Sequence, residues 1–133
     1  MIVVDASILA NVVGDDSADG RRARSELRTA GDVAAPDLVD VETVAVLRKR
    51  WSAGTITDRR FSSAIGDLEA IDLDRYPTLR LMRRAYDLRA NVTAYDATYV
   101  ALAEALGASL LTADKSLANA VRGAADIAVP LIE

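Results

Sequence analysis

Short apolar runs alternate with longer amphipathic segments along the whole chain. Runs typical of strands cover residues 2–5, 33–35, 71–73, 108–111 and 127–129. Apolar residues at helical spacing predict a helix from residue 6 onward, helices over 17–30, 37–51, 57–68, 76–89 and 93–106, and a short one around 118–121. Because strands alternate with helices, we expect a central parallel sheet. The predicted fold class is α/β, a three-layer α/β/α sandwich, in a single domain spanning residues 1–133.

The most informative part of this pattern is the segment 93–114, TAYDATYVALAEALGASLLTAD. It opens with a threonine suited to cap a helix, and Gly107 stands where that helix would end. The apolar run 108–111 that follows is typical of a strand buried on both faces. Asp96 therefore lies in the first turn of the helix, and Asp114 lies at the carboxyl end of the strand.

Asp5 closes the first strand, so it belongs to the same edge of the predicted sheet as Asp114. In open α/β sheets, ligands bind at the edge formed by the carboxyl ends of the strands. Each acid also has an ordinary alternative role, because Thr93-x-x-Asp96 is a capping-box arrangement and the strand-end acids can cap the helices that follow. Carboxylates that converge at one edge repel one another unless a cation joins them. We therefore expect an acidic site at the carboxyl ends of the strands.

Glu42 lies on the predicted helix 37–51 with apolar neighbours three and four residues away in both directions. A carboxylate in that position faces inward, where its charge requires a cation or protonation. An ion pair with a nearby arginine is the alternative. Asp40 is the competing acid on this helix. The helix is apolar on nearly every face, which predicts burial against a second helix or subunit.

Composition narrows the chemistry that these acids can support. The chain has no cysteine and no histidine, which excludes disulfides, thiolate zinc sites, imidazole ligands and a Ser-His-Asp triad. A site built from carboxylates selects a hard cation such as Mg²⁺ or Mn²⁺. The net charge of −4 gives no general attraction to nucleic acid. With no apolar run long enough to cross a bilayer and no leader-like start, we expect no membrane partner and a cytoplasmic location.

The residues resemble the PIN-domain ribonucleases, and most closely the VapC-type toxins of bacterial toxin–antitoxin pairs. The resemblance rests on IVVDAS, VETVAVLRKRW and YDATYVALAEALGASLLTAD followed by a lysine. It implies a PIN-like fold with a quartet of catalytic, metal-binding acids and two supporting hydroxyl residues: Asp5, Glu42, Asp96 and Asp114, with Ser7 and Thr112. It further implies Mg²⁺- or Mn²⁺-dependent endonucleolytic cleavage of RNA, a homodimer, and inhibition by a small cognate antitoxin whose tail enters the active site.

Basic residues on the rim of such a site are candidates for contacts with RNA phosphates. The candidates are Arg48, Lys49, Arg84 and Lys115. Each also has the ordinary alternative of a solvated helix face. The rival function from another class is a catalytically idle PIN-like module that binds a partner protein, and calorimetry showing no divalent-ion binding would favour it.

Overall fold

The computed structural model describes residues 1–132 of the chain. Within that range four short strands alternate with seven helices, and a 3-10 helix, Thr78–Leu81, precedes the fifth of them. The strands are β1 (Ile2–Val4), β2 (Val33–Pro36), β3 (Asp74–Tyr76) and β4 (Ser109–Leu111). The helices are α1 (Ala6–Gly14), α2 (Ala18–Ala30), α3 (Leu38–Ser52), α4 (Asp58–Ala70), α5 (Met82–Asp87), α6 (Ala94–Leu106) and α7 (Lys115–Arg122). In this part of the chain no helix is long and apolar enough to span a membrane.

The strands form one parallel sheet in the order β3-β2-β1-β4. The sheet register pairs Val4 of β1 with Leu111 of β4. The residues that follow, Asp5 and Thr112, therefore emerge side by side at the carboxyl edge. Helices flank the sheet, which confirms the predicted α/β fold with its central parallel sheet.

The helices form two groups around the sheet. α1 contacts α2, α3 and α4, whereas α6 contacts α5 and three of the strands. The range 97–103 of α6 is buried without interruption, so this helix is a large part of the core. It ends at Gly107, whose φ of 62° is a left-handed conformation that glycine adopts without a Cβ clash. This stop places β4 directly after α6, as the sequence predicts.

The predicted strand over residues 71–73 is wrong. The structure has β3 three residues later, over Asp74–Tyr76, where it pairs with β2 as the edge of the sheet. Ile71 and Leu73 are partly buried and pack against the core from the connecting segment. Their apolar character reflects that packing, whereas the strand is defined by backbone pairing of the more polar residues beside them.

The predicted strand over residues 127–129 is also absent. This segment does approach β4, since the Leu110 amide donates a hydrogen bond to the Ala128 carbonyl at 2.9 Å. Thr112 and Leu131 then form an isolated parallel bridge. Pro130 lies between those contacts and has no N–H group, so a continuous ladder cannot form.

The predicted helix over residues 76–89 is shorter and divided. Tyr76 ends β3, Pro77 caps the 3-10 helix, and α5 covers only Met82–Asp87. Because the residue before a proline is disfavoured in helical conformation, the helix could not begin at residue 76.

One side of α3 is exposed in the single chain, contrary to the expectation of burial on nearly every face. Val39, Thr43 and Leu47 face inward and are fully buried. Val41 and Trp51, in contrast, are 70% and 43% exposed. Burial of the outer side by a second subunit stays a prediction.

Candidate active site

Asp5 lies between the end of β1 and the start of α1 and is only 5% exposed. Its Oδ1 accepts hydrogen bonds from Ser7 Oγ at 2.6 Å and from the Ile8 amide at 3.1 Å. Its Oδ2 accepts a hydrogen bond from the hydroxyl of Thr112. Asp5 is thus the N-cap of α1, the ordinary role that its position allowed, and it also lines a cavity.

Ser7 and Thr112 connect the ends of β1 and β4. Their hydroxyl oxygens are 3.5 Å apart. Ser7 Oγ accepts a hydrogen bond from the Ala113 amide at 3.0 Å, and Thr112 Oγ1 accepts one from the Asp114 amide at 2.9 Å. Asp114 is more exposed, and its carboxylate caps α7 by accepting hydrogen bonds from two backbone amides of that helix. The two hydroxyls therefore fix the backbone from which Asp114 projects.

Asp96 lies in the first turn of α6 and is half-buried. Thr93 caps the helix by accepting a hydrogen bond from the Asp96 amide at 3.2 Å. The reciprocal bond of a capping box, from the Thr93 amide to the Asp96 carboxylate, is absent among the described residues. The carboxylate instead lines the same cavity as Asp5.

Glu42 and Asp40 lie two residues apart on α3 and have different partners. The Glu42 carboxyl group lines the cavity and accepts a hydrogen bond from the Tyr99 hydroxyl at 2.5 Å. Asp40 is held at the edge of the sheet by Arg75, whose Nε lies 2.7 Å from its Oδ2. Of these two acids, only Glu42 is a lining residue of the cavity that contains Asp5.

The cavity has a volume of about 980 Å³ and is open to solvent. Its lining contains seven acids and two basic residues: Asp5, Asp15, Asp16, Asp19, Glu42, Asp96, Asp114, Arg50 and Arg60. The four acids of the quartet belong to four separate segments of the chain. Folding brings them into this one cavity, where negative charge outweighs positive.

Burial and mutual repulsion affect the acids in this cavity. Burial raises the pKa of Asp5 above its ordinary value despite the hydrogen bonds that it accepts. Burial also raises the pKa of Glu42, and the negative charge of Asp5 adds to that effect. Burial raises the pKa of Asp96, and the charges of Asp114, Glu42 and Asp5 raise it further. A cation in the cavity would relieve this repulsion and favour the ionised forms.

The donor set fits a hard divalent cation in its chemistry. Every acidic group offers oxygen, and Mg²⁺ prefers a few carboxylates together with several waters. Within residues 1–132, no group of three acids is arranged as a ready-made set of direct metal ligands. An ion held here would share its shell between these carboxylates and water.

None of the four basic residues predicted as RNA contacts is among those that line the cavity. Arg84 forms a two-pronged ion pair with Glu104 of α6, with distances of 2.9 and 3.1 Å. Arg48 and Lys49 lie on the exposed side of α3, and Lys115 is exposed at the start of α7. Their predicted contacts with RNA stay predictions.

Sequence reasoning missed two arginines in the cavity, and it considered Tyr99 for stacking on bases or core packing but not for a contact with Glu42. Arg50 donates hydrogen bonds to Asn11 Oδ1 at 2.7 Å and to the Ala10 carbonyl at 3.4 Å. Arg60 donates to Asp16. The signal for Arg50 is its spacing of eight residues from Glu42, which places both on one stripe of α3. Tyr99 similarly lies three residues after Asp96 on α6.

Comparisons with known proteins identify the family to which this fold belongs. A profile of the PIN domain matches residues 2–123. The chain belongs to the PIN-domain family. It is 41% identical over 123 residues to Ribonuclease VapC9 of Mycobacterium tuberculosis, with 90% of each chain covered. It is 37% identical over 119 residues to Ribonuclease VapC1 of the same organism, with 89% of each covered. Within the PIN-domain family, the chain groups with the VapC ribonucleases.

Two crystal structures have a similar fold. One is Mycobacterium tuberculosis VapC20, titled a sarcin-ricin loop cleaving toxin, with a TM-score of 0.64 and 18% identity, covering 82% of this chain and 85% of VapC20. The other is PAE2754 from Pyrobaculum aerophilum, with a TM-score of 0.62 and 23% identity, covering 96% of this chain and 81% of PAE2754. At these identities the likeness supports the fold alone.

Proposed function

We propose that the chain is a divalent-metal-dependent endoribonuclease and the toxin of a toxin–antitoxin pair. The observation that carries the proposal is the single cavity lined by Asp5, Glu42, Asp96 and Asp114. Similarity to proteins named as VapC ribonucleases supports the substrate class.

In this proposal Asp5 and Asp96 hold Mg²⁺ or Mn²⁺, and Glu42 and Asp114 complete its shell directly or through water. When bound, such an ion supplies an activated water and a positive charge for the phosphoryl oxygens. The chain itself supplies a fixed set of negative oxygens at the edge of a rigid sheet. Each acid comes from a different element, so its position depends on the packing of the fold rather than on one flexible loop.

Ser7 and Thr112 act by orienting Asp5, because both hydroxyls donate to its carboxylate. The same hydroxyls accept hydrogen bonds from backbone amides next to Asp114. Hydrogen bonds of this kind, behind a metal ligand, keep the ligand in one orientation.

Arg50 and Arg60 are the proposed contacts for RNA phosphates flanking the cleaved bond. Both line the cavity beside the acids. A guanidinium group suits phosphate because it donates several hydrogen bonds in a planar fork. Among the basic residues predicted from the sequence, Lys115 directly follows Asp114 and is exposed. It is the further proposed contact for an RNA phosphate, at the rim of the cavity.

The proposed protein partners follow from charge and exposure. An excess of acids in the cavity favours a basic antitoxin tail that enters it, because such a tail would offset the same repulsion as a cation. The exposed outer side of α3, which includes Val41 and Trp51, is the proposed contact between two copies in a homodimer.

The first test is cleavage of a circular RNA by the purified chain with Mn²⁺, because only an endonuclease opens a circle. We expect cleavage to stop with EDTA and to fall roughly 100-fold or more in Asp96→Asn, since this carboxylate would hold the cation that stabilises developing charge, and losing one such contribution costs about that factor. The exposed Asp67→Asn variant on α4 is the matched control. Cleavage that continues in EDTA contradicts the mechanism. A folded chain that neither cleaves RNA nor binds Mn²⁺ supports the protein-binding module instead.

A further inference from the structure

Tyr99 joins the two helices that contribute acids to the cavity. Its hydroxyl, from α6, donates a hydrogen bond at 2.5 Å to Oε1 of Glu42, from α3. The side chain is only 2% exposed, so the ring is fixed by the core while the hydroxyl end lines the cavity. The buried ring therefore holds the Tyr99 hydroxyl at a fixed position beside Oε1 of Glu42.

Glu42 depends on this contact more than Asp5 or Asp114 depends on any single partner. Asp5 receives hydrogen bonds from two hydroxyls and an amide, and Asp114 receives two from amides. Among the described residues, Tyr99 is the one hydrogen-bond partner of the Glu42 carboxyl group. Glutamate also has one more rotatable bond than aspartate, so its carboxylate is harder to hold in one place.

We infer that Tyr99 is a positioning residue, which holds Oε1 of Glu42 and leaves Oε2 available to a divalent cation or to its water. The inference rests on the proposed function, because it assigns Glu42 to the metal site. Tyr99 itself contacts neither the RNA nor the ion. Its effect on the reaction passes through the orientation of Glu42.

The test compares Tyr99→Phe with Tyr95→Phe and with the wild-type chain. Phenylalanine keeps the buried ring and removes only the hydroxyl, and Tyr95 is a 60% exposed tyrosine on the same helix. Mn²⁺ binding is measured without RNA by electron paramagnetic resonance, and thermal unfolding in EDTA is measured alongside. We expect the Mn²⁺ Kd to rise about 10- to 100-fold in Tyr99→Phe, as is usual for partners of metal ligands, and not in Tyr95→Phe.

The kinetics of cleavage distinguish a positioning role from a general loss of structure, because only the Mn²⁺ requirement should change. In Tyr99→Phe the Mn²⁺ concentration for half-maximal cleavage should rise by the same factor as the Kd. The KM for RNA and the kcat at saturating Mn²⁺ should stay within about threefold of wild type. A damaged fold would lower all of these together.

Folded Tyr99→Phe with a wild-type Mn²⁺ Kd overturns the inference and leaves the proposed function standing. If thermal unfolding shows that this variant is unfolded at the assay temperature, the Mn²⁺ Kd is measured at a lower temperature at which it is folded, and an unchanged Kd there overturns the inference equally. A wild-type chain that neither binds Mn²⁺ nor cleaves RNA overturns the proposed function, and the inference falls with it.

Discussion

Asp40 and Glu42 face two different regions from the same helix. At the edge of the sheet, Asp40 meets Arg75 in an ion pair, and both side chains remain about one-third exposed. In the cavity, Glu42 meets a tyrosine hydroxyl and lies close enough to Asp5 for their charges to interact. At the edge of the sheet, an arginine neutralises the charge of Asp40. In the cavity, further acids surround Glu42 instead.

This difference separates an acid that is neutralised within the fold from acids that the proposed function assigns to a cation. A paired surface acid contributes little, typically less than about 1 kcal/mol, and tolerates replacement. Acids that share a cavity raise one another's pKa, so they cost free energy in the protein alone. Binding of a cation would recover that cost without protonating the acids, which links the charge of the cavity to its proposed chemistry.

The largest effect is expected on RNA cleavage, which should depend on Glu42 but not on Asp40. We expect Glu42→Gln to lower the rate of RNA cleavage roughly 100-fold, because it removes a charge from the proposed metal shell and keeps the size of the side chain. Single-turnover cleavage at fixed Mn²⁺ measures the effect. An equal loss of activity in Asp40→Asn would break the contrast between the two regions.

The next largest effect is on the free energy of unfolding, which should depend on pH because of the acids in the cavity. The native pKa values of Asp5, Glu42 and Asp96 are raised, so their contribution to stability is complete below the ordinary values of 3.8 and 4.5 and is lost as pH rises through the native values. In EDTA, urea unfolding of the wild type should therefore show a larger decrease in stability than unfolding of Asp96→Asn as the pH rises from about 4, near the ordinary values, to about 8.

Mn²⁺ should reverse this decrease at the upper end of the range. At a free concentration 100 times the Kd, it should raise the free energy of unfolding by about 2.7 kcal/mol. If that concentration is set by the Kd at pH 8 and kept fixed, the increase should be smaller at pH 5, because the ion binds the ionised carboxylates. Identical stability with EDTA and with Mn²⁺ at both pH values would contradict the assignment of the cavity as a metal site.

The smallest effect is expected at the edge of the sheet. Asp40→Asn should lower the free energy of unfolding by less than about 1 kcal/mol, because the pair with Arg75 is partly exposed and screened by water. Urea unfolding at low and high salt measures this loss, which should shrink as salt is added. A loss of several kcal/mol would mean that this edge carries more of the fold than the burial of its side chains suggests.

The sequence predicted most of the frame around the cavity. Apolar runs and a helix-ending glycine located β1, α6 and β4, and parallel pairing then required Asp5 and Asp114 to share an edge. The choice between Asp40 and Glu42 was left open by the sequence. It depends on Arg75 and Tyr99, which are 35 and 57 residues away from their partners along the chain.

β3 and the roles of the arginines could not be predicted from the local sequence either, because they too depend on residues that are distant along the chain. β3 is a polar edge strand set by pairing with β2, and apolar residues beside it gave a misleading signal. Arg50 lies within a basic run, RKR, and only its helical spacing from Glu42 distinguishes it from its exposed neighbours in that run. Arg84, in turn, is committed to Glu104, a partner twenty residues away.

The hydroxyl of Thr112 reaches back across 107 positions of chain to Asp5. Contacts between such distant positions form late in folding, because closing the long loop between them costs conformational entropy. A growing polypeptide on the ribosome therefore carries three of the four acids of the cavity before Thr112 and Asp114 have been added. In the proposed nuclease, the acid site therefore assembles only after these residues have been translated.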